Sequence, residues 1–286
     1  MPAKLNELSP AKINLFLKII NKREDGYHNI RSGVTLINLF DEVSAEMYSK
    51  FEVRYIGEFA PLNNKFDDCI ITKFFSDLKL NKPNYRFKIK KNIPIQSGLG
   101  SASSNLAAVI RILKKIGYHN STVQEYGKIG ADVPFFVKNS DCLIRGTGDI
   151  LINQNFPKYY FLLVKPKTNC STFNMYKSLK VENIKFNIEY DINKVTENDN
   201  GNDFETYIEE NYKEIALILN YLRSLPKVIF ARLTGSGSCI FAAFESKKNA
   251  EKSLYMFKEK FPNLWFKVVE NNFMKNIKIW LIYYIY

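Results

Sequence analysis

The chain has 286 residues, 46% hydrophobic and 14% aromatic, enough to bury a sizeable core in two packed domains and to exclude disordered and fibrous classes. Its 41 Lys and Arg against 29 Asp and Glu give +12, a field that favours anionic ligands. The lysines are scattered, however, with adjacent pairs only at Lys90-Lys91, Lys114-Lys115 and Lys247-Lys248, so nucleic acid is not the expected partner.

In chain order, Lys12 to Ile20 alternates as a strand, with Ile13, Leu15, Leu17 and Ile19 on one face and Lys12, Asn14, Phe16 and Lys18 on the other. Glu24-Asp25-Gly26 turns it back into strands over Asn29 to Leu39 and Glu42 to Ile56, so the chain opens as an antiparallel sheet. Asp67-Asp68 caps a helix whose apolar face is Ile70, Ile71, Phe74, Phe75 and Leu78. A strand through Tyr85, Phe87 and Ile89 precedes a Gly/Ser loop and a helix from Asn105 to Ile116, closed by Gly117. A second helical region from Ser121 is halted by the proline of GADVPFF, and short strands follow at Asp141 to Arg145 and Asp149 to Asn153.

The pattern restarts with a strand at Tyr159 to Val164 and a short helix at Thr172 to Leu179; Asn183 to Asp203 reads as a linker or insertion. A helix at Phe204 to Leu222, strands at Val228 to Leu233 and Cys239 to Phe244, a helix at Lys247 to Phe261 and a strand at Trp265 to Val269 make an α+β unit of ferredoxin-like pattern. The apolar end, Ile277 to Tyr286, is too short to span a bilayer and reads as a final strand or packed tail. No secretory signal is visible. Cys69, Cys142, Cys170 and Cys239 show no metal-ligand spacing and read as buried thiols of a reducing compartment, so the expected location is the cytoplasm.

The loop Pro94 to Ser104, PIQSGLGSASS, feeds a helix N-terminus, where bare amides and the helix dipole converge on an anion. The same residues also suit a plain flexible turn, and they match neither GxxxxGK[ST] nor GxGxxG. Asp132 in GADVP could be a helix cap or a general base, and Lys12 after Pro10 a solvated strand end or a cation beside transferring phosphoryl charge. Tyr27-His28 after a Gly turn suits a nucleobase, or a lid over the core beside a surface histidine. Gly235-Ser236-Gly237 suits a hairpin turn equally well.

Three stretches carry a resemblance: PAKINLFLKIINKREDGYHNI, IPIQSGLGSASSNLAA with GADVPFF, and RLTGSGSCIFAAF. Their order and spacing resemble those of the GHMP small-molecule kinases over residues 9 to about 270. PAKINL followed by DGYH resembles the branch that uses ATP to phosphorylate the 2-hydroxyl of 4-diphosphocytidyl-2-C-methyl-D-erythritol, a step of the non-mevalonate isoprenoid route.

That resemblance implies an α+β, two-domain fold. A ribosomal-S5-like N-terminal domain over residues 1–153 would bind ATP, with Lys12 to Arg31 contributing to the substrate site, and a ferredoxin-like domain over residues 154–286 would bind substrate. It implies Asp132 as catalytic base and Lys12 as its cationic partner. ATP would contact Lys91, Pro94, Ser97, Gly98, Leu99, Gly100, Ser101, Ala102, Ser103 and Ser104, together with Gly235, Ser236 and Gly237. The acceptor would meet Asn14, Asp132, Tyr27 and His28 on the cytosine ring, and Thr172 and Tyr176. Asn202-Asp203 matches a supporting ND motif. Magnesium is implied on the ATP phosphates with no dedicated protein ligand. The implied partner is a small molecule, with neither nucleic acid nor membrane, on a monomer or weak homodimer. The chain departs from the pattern at Ser97, Ser101 and Ala102, and at Asp68-Cys69, where the pattern has DN.

Overall fold

The computed structural model describes residues 4–61, 69–118, 122–177 and 201–273. Two strands, β1 (Leu5–Lys22) and β2 (His28–Met47), form a long antiparallel hairpin. With β3 (Glu52–Ile56), β4 (Tyr85–Lys90), β5 (Cys142–Gly146) and β6 (Ile150–Asn153) they make a sheet ordered β3-β4-β2-β5-β6, with β1 on the other edge of β2. The length of β2 makes it the spine: one edge pairs β1, and the other pairs β4 and then β5.

Several expectations need correction. Strand β1 starts at Leu5, seven residues before Lys12, because Pro10 sits at a register shift, where the missing N–H costs no ladder bond. A second shift between Asn14 and Phe16 breaks the simple alternation. Ile13, Leu15 and Phe16 enter one core, while Leu17 and Ile19 enter another. The expected Asn29 to Leu39 and Glu42 strands are one strand, β2, ending at Met47, and β3 is separate and runs parallel to β4. The sheet is therefore mixed.

One face of this sheet is covered by α1 (Ile70–Asp77), α2 (Ser101–Lys115), α3 (Val123–Ile129) and α4 (Val133–Lys138). Val43, Phe74, Phe75, Phe87, Ile89, Leu106, Val109 and Ile112 form the core between them, each large aliphatic contributing about 1.5–3 kcal/mol on burial. Helix α2 starts at Ser101 rather than Asn105, since serines at a helix start are read by pattern as loop. Pro134 does not halt a helix but opens α4, where its missing N–H is tolerated. Helix α1 is preceded by Cys69; Asp67-Asp68 lies outside the described residues, as does Ser121, and the capping box of α3 is made by Thr122 and Glu125.

The second sheet contains β7 (Tyr160–Lys165), β8 (Phe230–Leu233), β9 (Ile240–Phe244) and β10 (Trp265–Glu270) in the antiparallel order β10-β7-β9-β8. That order and the helices α5 (Thr172–Lys177), α6 (Glu205–Asn211), α7 (Lys213–Arg223) and α8 (Lys247–Lys260) make the ferredoxin-like arrangement. The expected single helix Phe204 to Leu222 breaks at Tyr212, which leaves the helical region at φ −128° and ψ 76° and re-aims α7. Most of the Asn183 to Asp203 linker, the end of the Thr172 to Leu179 helix and the Ile277 to Tyr286 tail lie outside the described residues.

The sheets share a core of Ile13, Leu15, Phe16, Ile37 and Leu39 against Phe161, Leu163, Phe230 and Phe241. Arg232, buried in β8, donates from its guanidinium to the Leu15 carbonyl and ties β8 to β1. Cys142 and Cys239 are buried as expected, but Cys69 and Cys170 are only half-buried. Among the described residues no helix is long and apolar enough to cross a membrane.

Candidate active site

A cleft of about 1020 Å³ lies where the two sheets meet. Its floor is the start of α2. Gly100 precedes the helix at φ 74°, and a Cβ there would stand 2.6 Å from the Phe136 ring, so the approach requires glycine. By helix geometry the first amides of α2 have no intrahelical acceptor. No acidic residue lies in its first turn and Lys114 and Lys115 lie in its last, so the helix dipole presents positive charge to the cleft.

The structure divides the expected phosphate contacts. Pro94, Ser97, Gly98, Gly100, Ser101, Ala102 and Ser103 line the cleft, as do Gly235, Ser236 and Gly237. Leu99 and Ser104 are fully buried and absent from that lining. The Ser104 hydroxyl donates to the Pro10 carbonyl at 2.7 Å, and the Leu99 carbonyl accepts from Lys12 N at 3.0 Å; both anchor β1 against the loop. Lys91 lines the cleft, yet its ammonium donates to Asp41, Ser101 and Asn105. Burial pushes this ammonium below its ordinary range, against the pull of Asp41.

Lys12 and Asp132 come together. Lys12 Nζ lies 3.7 Å from Asp132 Oδ2 and donates to Asn14 Oδ1 at 2.6 Å, with the lysine side chain 5% and the aspartate side chain 40% exposed. The buried cation is fixed and the carboxylate faces the cleft. Asp132 occupies the N-cap of α4 but makes no side-chain cap bond, so its carboxylate is not consumed by the helix. Asn14 is held in turn: its Nδ2 donates to Ser32 Oγ at 2.8 Å, and its backbone N to Thr234 Oγ1 at 3.0 Å.

The cleft runs on to α5. Thr172 and Tyr176 line it, and Thr172 Oγ1 lies 2.7 Å from Ser236 Oγ. Burial pushes the Tyr176 phenol up to about 12, and the nearby Asp132 charge acts in the same direction. The His28 ring lies 5.3 Å from that of Tyr176, centroid to centroid. Burial, then Lys22, pushes His28 below its usual range. Tyr27, on the hairpin turn, is 68% exposed, and neither it nor His28 is among the cleft-lining residues.

Asn202 crosses from the linker: its Nδ2 donates to the Leu233 and Gly235 carbonyls at 3.0 and 2.8 Å, steadying the TGSGS loop. Asp203 accepts from Lys18 Nζ and Ile19 N. Sequence reasoning missed Asp41, Ser32 and Thr234. Asp41 carried a signal, a carboxylate inside the apolar run LINLFDEV.

Two known families match the chain: the GHMP kinases N terminal domain over residues 68–140 and the GHMP kinases C terminal domain over 191–263. The chain is 34% identical over 259 residues to a 4-diphosphocytidyl-2-C-methyl-D-erythritol kinase of Buchnera aphidicola subsp. Schizaphis graminum, covering 85% of this chain and 86% of that one. It is 33% identical over 251 residues to the enzyme of the same name from Francisella tularensis subsp. tularensis, covering 85% and 89%. A crystal structure of 4-(cytidine 5'-diphospho)-2C-methyl-D-erythritol kinase superposes with TM-score 0.76 at 22% identity, covering 93% of this chain and 99% of that one. L. major mevalonate kinase, solved with R-mevalonate, gives 0.68 at 14%, with 93% and 95% covered. These last two likenesses concern the fold, and the level of identity to the Buchnera and Francisella enzymes carries the assignment: the chain belongs to the 4-diphosphocytidyl-2-C-methyl-D-erythritol kinase family of the GHMP kinases.

Proposed function

We propose that this chain transfers the γ-phosphoryl group of ATP to the 2-hydroxyl of 4-diphosphocytidyl-2-C-methyl-D-erythritol, the acceptor for which its relatives are named. The observation that carries the reading is the Lys12 and Asp132 pair, 3.7 Å apart beside the start of α2. The α2 amides and the loop Gly235 to Gly237 bind the ATP phosphates. Asp132 accepts the proton as the acceptor oxygen bonds to the γ-phosphorus, the bond to the β-phosphate oxygen breaks, and ADP leaves. Lys12 offsets the charge developing on the transferring group, and Asn14 holds Lys12 in place.

His28 and Tyr176 supply the nucleobase end, with Tyr27 closing on it from the hairpin turn. The neutral His28 imidazole, favoured by burial, suits hydrogen bonding to a polar base edge. Residues 1–153 would then carry most of the ATP site, to which Gly235 to Gly237 add, while residues 154–286 would contribute Thr172 and Tyr176 to an acceptor site shared with Lys12, Asn14, His28 and Asp132. Magnesium belongs to the same reading: among the described residues no group of three His, Cys, Asp or Glu could hold a metal ion, but the Ser103 hydroxyl lining the cleft is a hard oxygen donor that suits it beside ATP. When bound, the ion would neutralise phosphate charge.

The test is kcat/KM with ATP for the cytidylyl acceptor, its uridylyl analogue and a base-free methylerythritol phosphate. Turnover with a clear preference for the cytidylyl compound is expected; equal values for all three would leave a GHMP kinase with another acceptor.

A further inference from the structure

Beneath the first turn of α2 lies a closed polar network. Asp41, on β2, and Lys91, just past β4, have side chains 0% and 4% exposed. Asp41 Oδ1 accepts from the backbone N–H groups of Asn92 at 2.7 Å and Ile93 at 2.9 Å. Its Oδ2 accepts from Lys91 Nζ, from Ser101 Oγ at 2.8 Å and from Asn105 Nδ2 at 2.9 Å. The Lys91 ammonium has three protons and three acceptors: Asp41, Ser101 Oγ and Asn105 Oδ1. Asn105 extends the network to Ser9.

We infer that Lys91 is a positioning residue for the phosphate cradle, acting through Asp41 rather than by touching phosphate: it neutralises the carboxylate under the α2 N-terminus and locks Ser101 at the head of the helix. The inference deepens the ATP-binding reading above and rests on it. The carboxylate is useful because it gathers two loop amides, a serine and an asparagine at one point, fixing the loop Asn92-Ile93 to the helix that carries the cradle. Left alone, it would place a negative charge one side chain from the incoming phosphates and offset the helix dipole. The lysine's charge cancels it, one proton going to the carboxylate and the other two to Ser101 and Asn105. Burial disfavours the charged ammonium, and the paired carboxylate holds it in place.

Signs separate this role from direct phosphate binding. Binding of ATP, ADP and adenosine is measured by calorimetry on wild type, Lys91→Met, Asp41→Asn and the double variant, with folding followed by circular dichroism. Lys91→Met should weaken ATP and ADP tenfold or more and adenosine far less, because the carboxylate is left uncompensated. Asp41→Asn alone should weaken ATP much less than Lys91→Met, since the cation stays and the side-chain oxygen can still take the Asn92 and Ile93 amides. The double variant should return ATP affinity to within about threefold of wild type. A double variant as weak as Lys91→Met overturns the inference, for a lost phosphate ligand cannot be restored by removing Asp41. Wild type that binds no ATP would instead overturn the ATP reading of the cleft. If Lys91→Met does not fold, wild-type protein with ¹⁵N-labelled lysine decides: the Lys91 ammonium signal should move much less than that of Lys12 when ATP is added, and a larger shift at Lys91 overturns the inference.

Discussion

A Cβ placed on Gly98 would stand 2.3 Å from the carbonyl oxygen of Thr234. The two glycine-bearing loops, from opposite halves of the chain, thus meet backbone to backbone in the cleft lining. Gly98 is also at φ +73°, and the atom it would strike belongs to a main chain with no rotamer to yield. Gly98→Ala should cost about 1–3 kcal/mol in backbone strain alone, separate the loops and weaken ATP. Gly117→Ala is the control: φ is +69° but nothing lies within 4 Å, so only the left-handed strain of about 1–2 kcal/mol applies. Thermal melts and ATP calorimetry on both variants check this; equal losses of ATP affinity would mean that loop contact is not what matters.

Asp132→Asn keeps shape and removes the proposed proton acceptor. The carboxylate makes no cap bond, so stability should fall only by the lost pairing with Lys12 across 3.7 Å, while kcat falls by about 10²-fold or more, as for loss of a positioned general base. Turnover near wild type would remove Asp132 from the chemistry.

Lys12→Met fills a similar volume at a side chain 5% exposed but deletes the charge and leaves Asn14 Oδ1 without its 2.6 Å donor. The loss should appear mainly in kcat, since phosphoryl charge matters most in the transition state. A change confined to KM for ATP would make Lys12 a ground-state ligand.

His28 yields a pH dependence with a definite sign. Its folded pKa is lowered by burial and then by Lys22, so the fold binds the neutral ring better than the imidazolium. Its stabilising contribution is complete above the ordinary value of about 6.5 and is lost as pH falls below that value toward the folded one. Acceptor affinity should be flat above that point and weaken on acidification. NMR titration of the His28 ring checks it; a midpoint at or above the ordinary value contradicts the assignment.

How much of this was legible in the sequence depended on the physics involved. Strands of β7 to β10 and the order of motifs were visible because apolar alternation and glycine spacing are local properties. The start of α2 was misplaced because serine favours caps and turns by its own hydrogen bonding, although here Ser101 and Ser104 bond Asp41 and Pro10 across the fold. The break at Tyr212 was invisible, since one non-helical residue leaves the apolar period of α6 and α7 almost intact. Lys12 and Asp132 could be named from their motifs, but their meeting depends on a bulge at Pro10 and a helix start 120 residues away. Asp41 went unread because its partners are all remote in sequence.

Pro134, second residue of α4, bears on how free the Asp132 carboxylate is. An aspartate at an N-cap is normally drawn to the amides two and three residues on, and a carboxylate that accepts such bonds becomes a poorer proton acceptor. Pro134, two residues on, has no amide to offer, so only that of Phe135 remains, and the carboxylate makes no cap bond. The proline thus withholds a competitor for the carboxylate lone pairs. Pro134→Ala would supply that competitor: α4 would gain a cap worth about 1 kcal/mol, the Asp132 carboxylate would be drawn toward the helix, and kcat would fall. A kcat left at the wild-type value would show that Asp132 ignores the new donor.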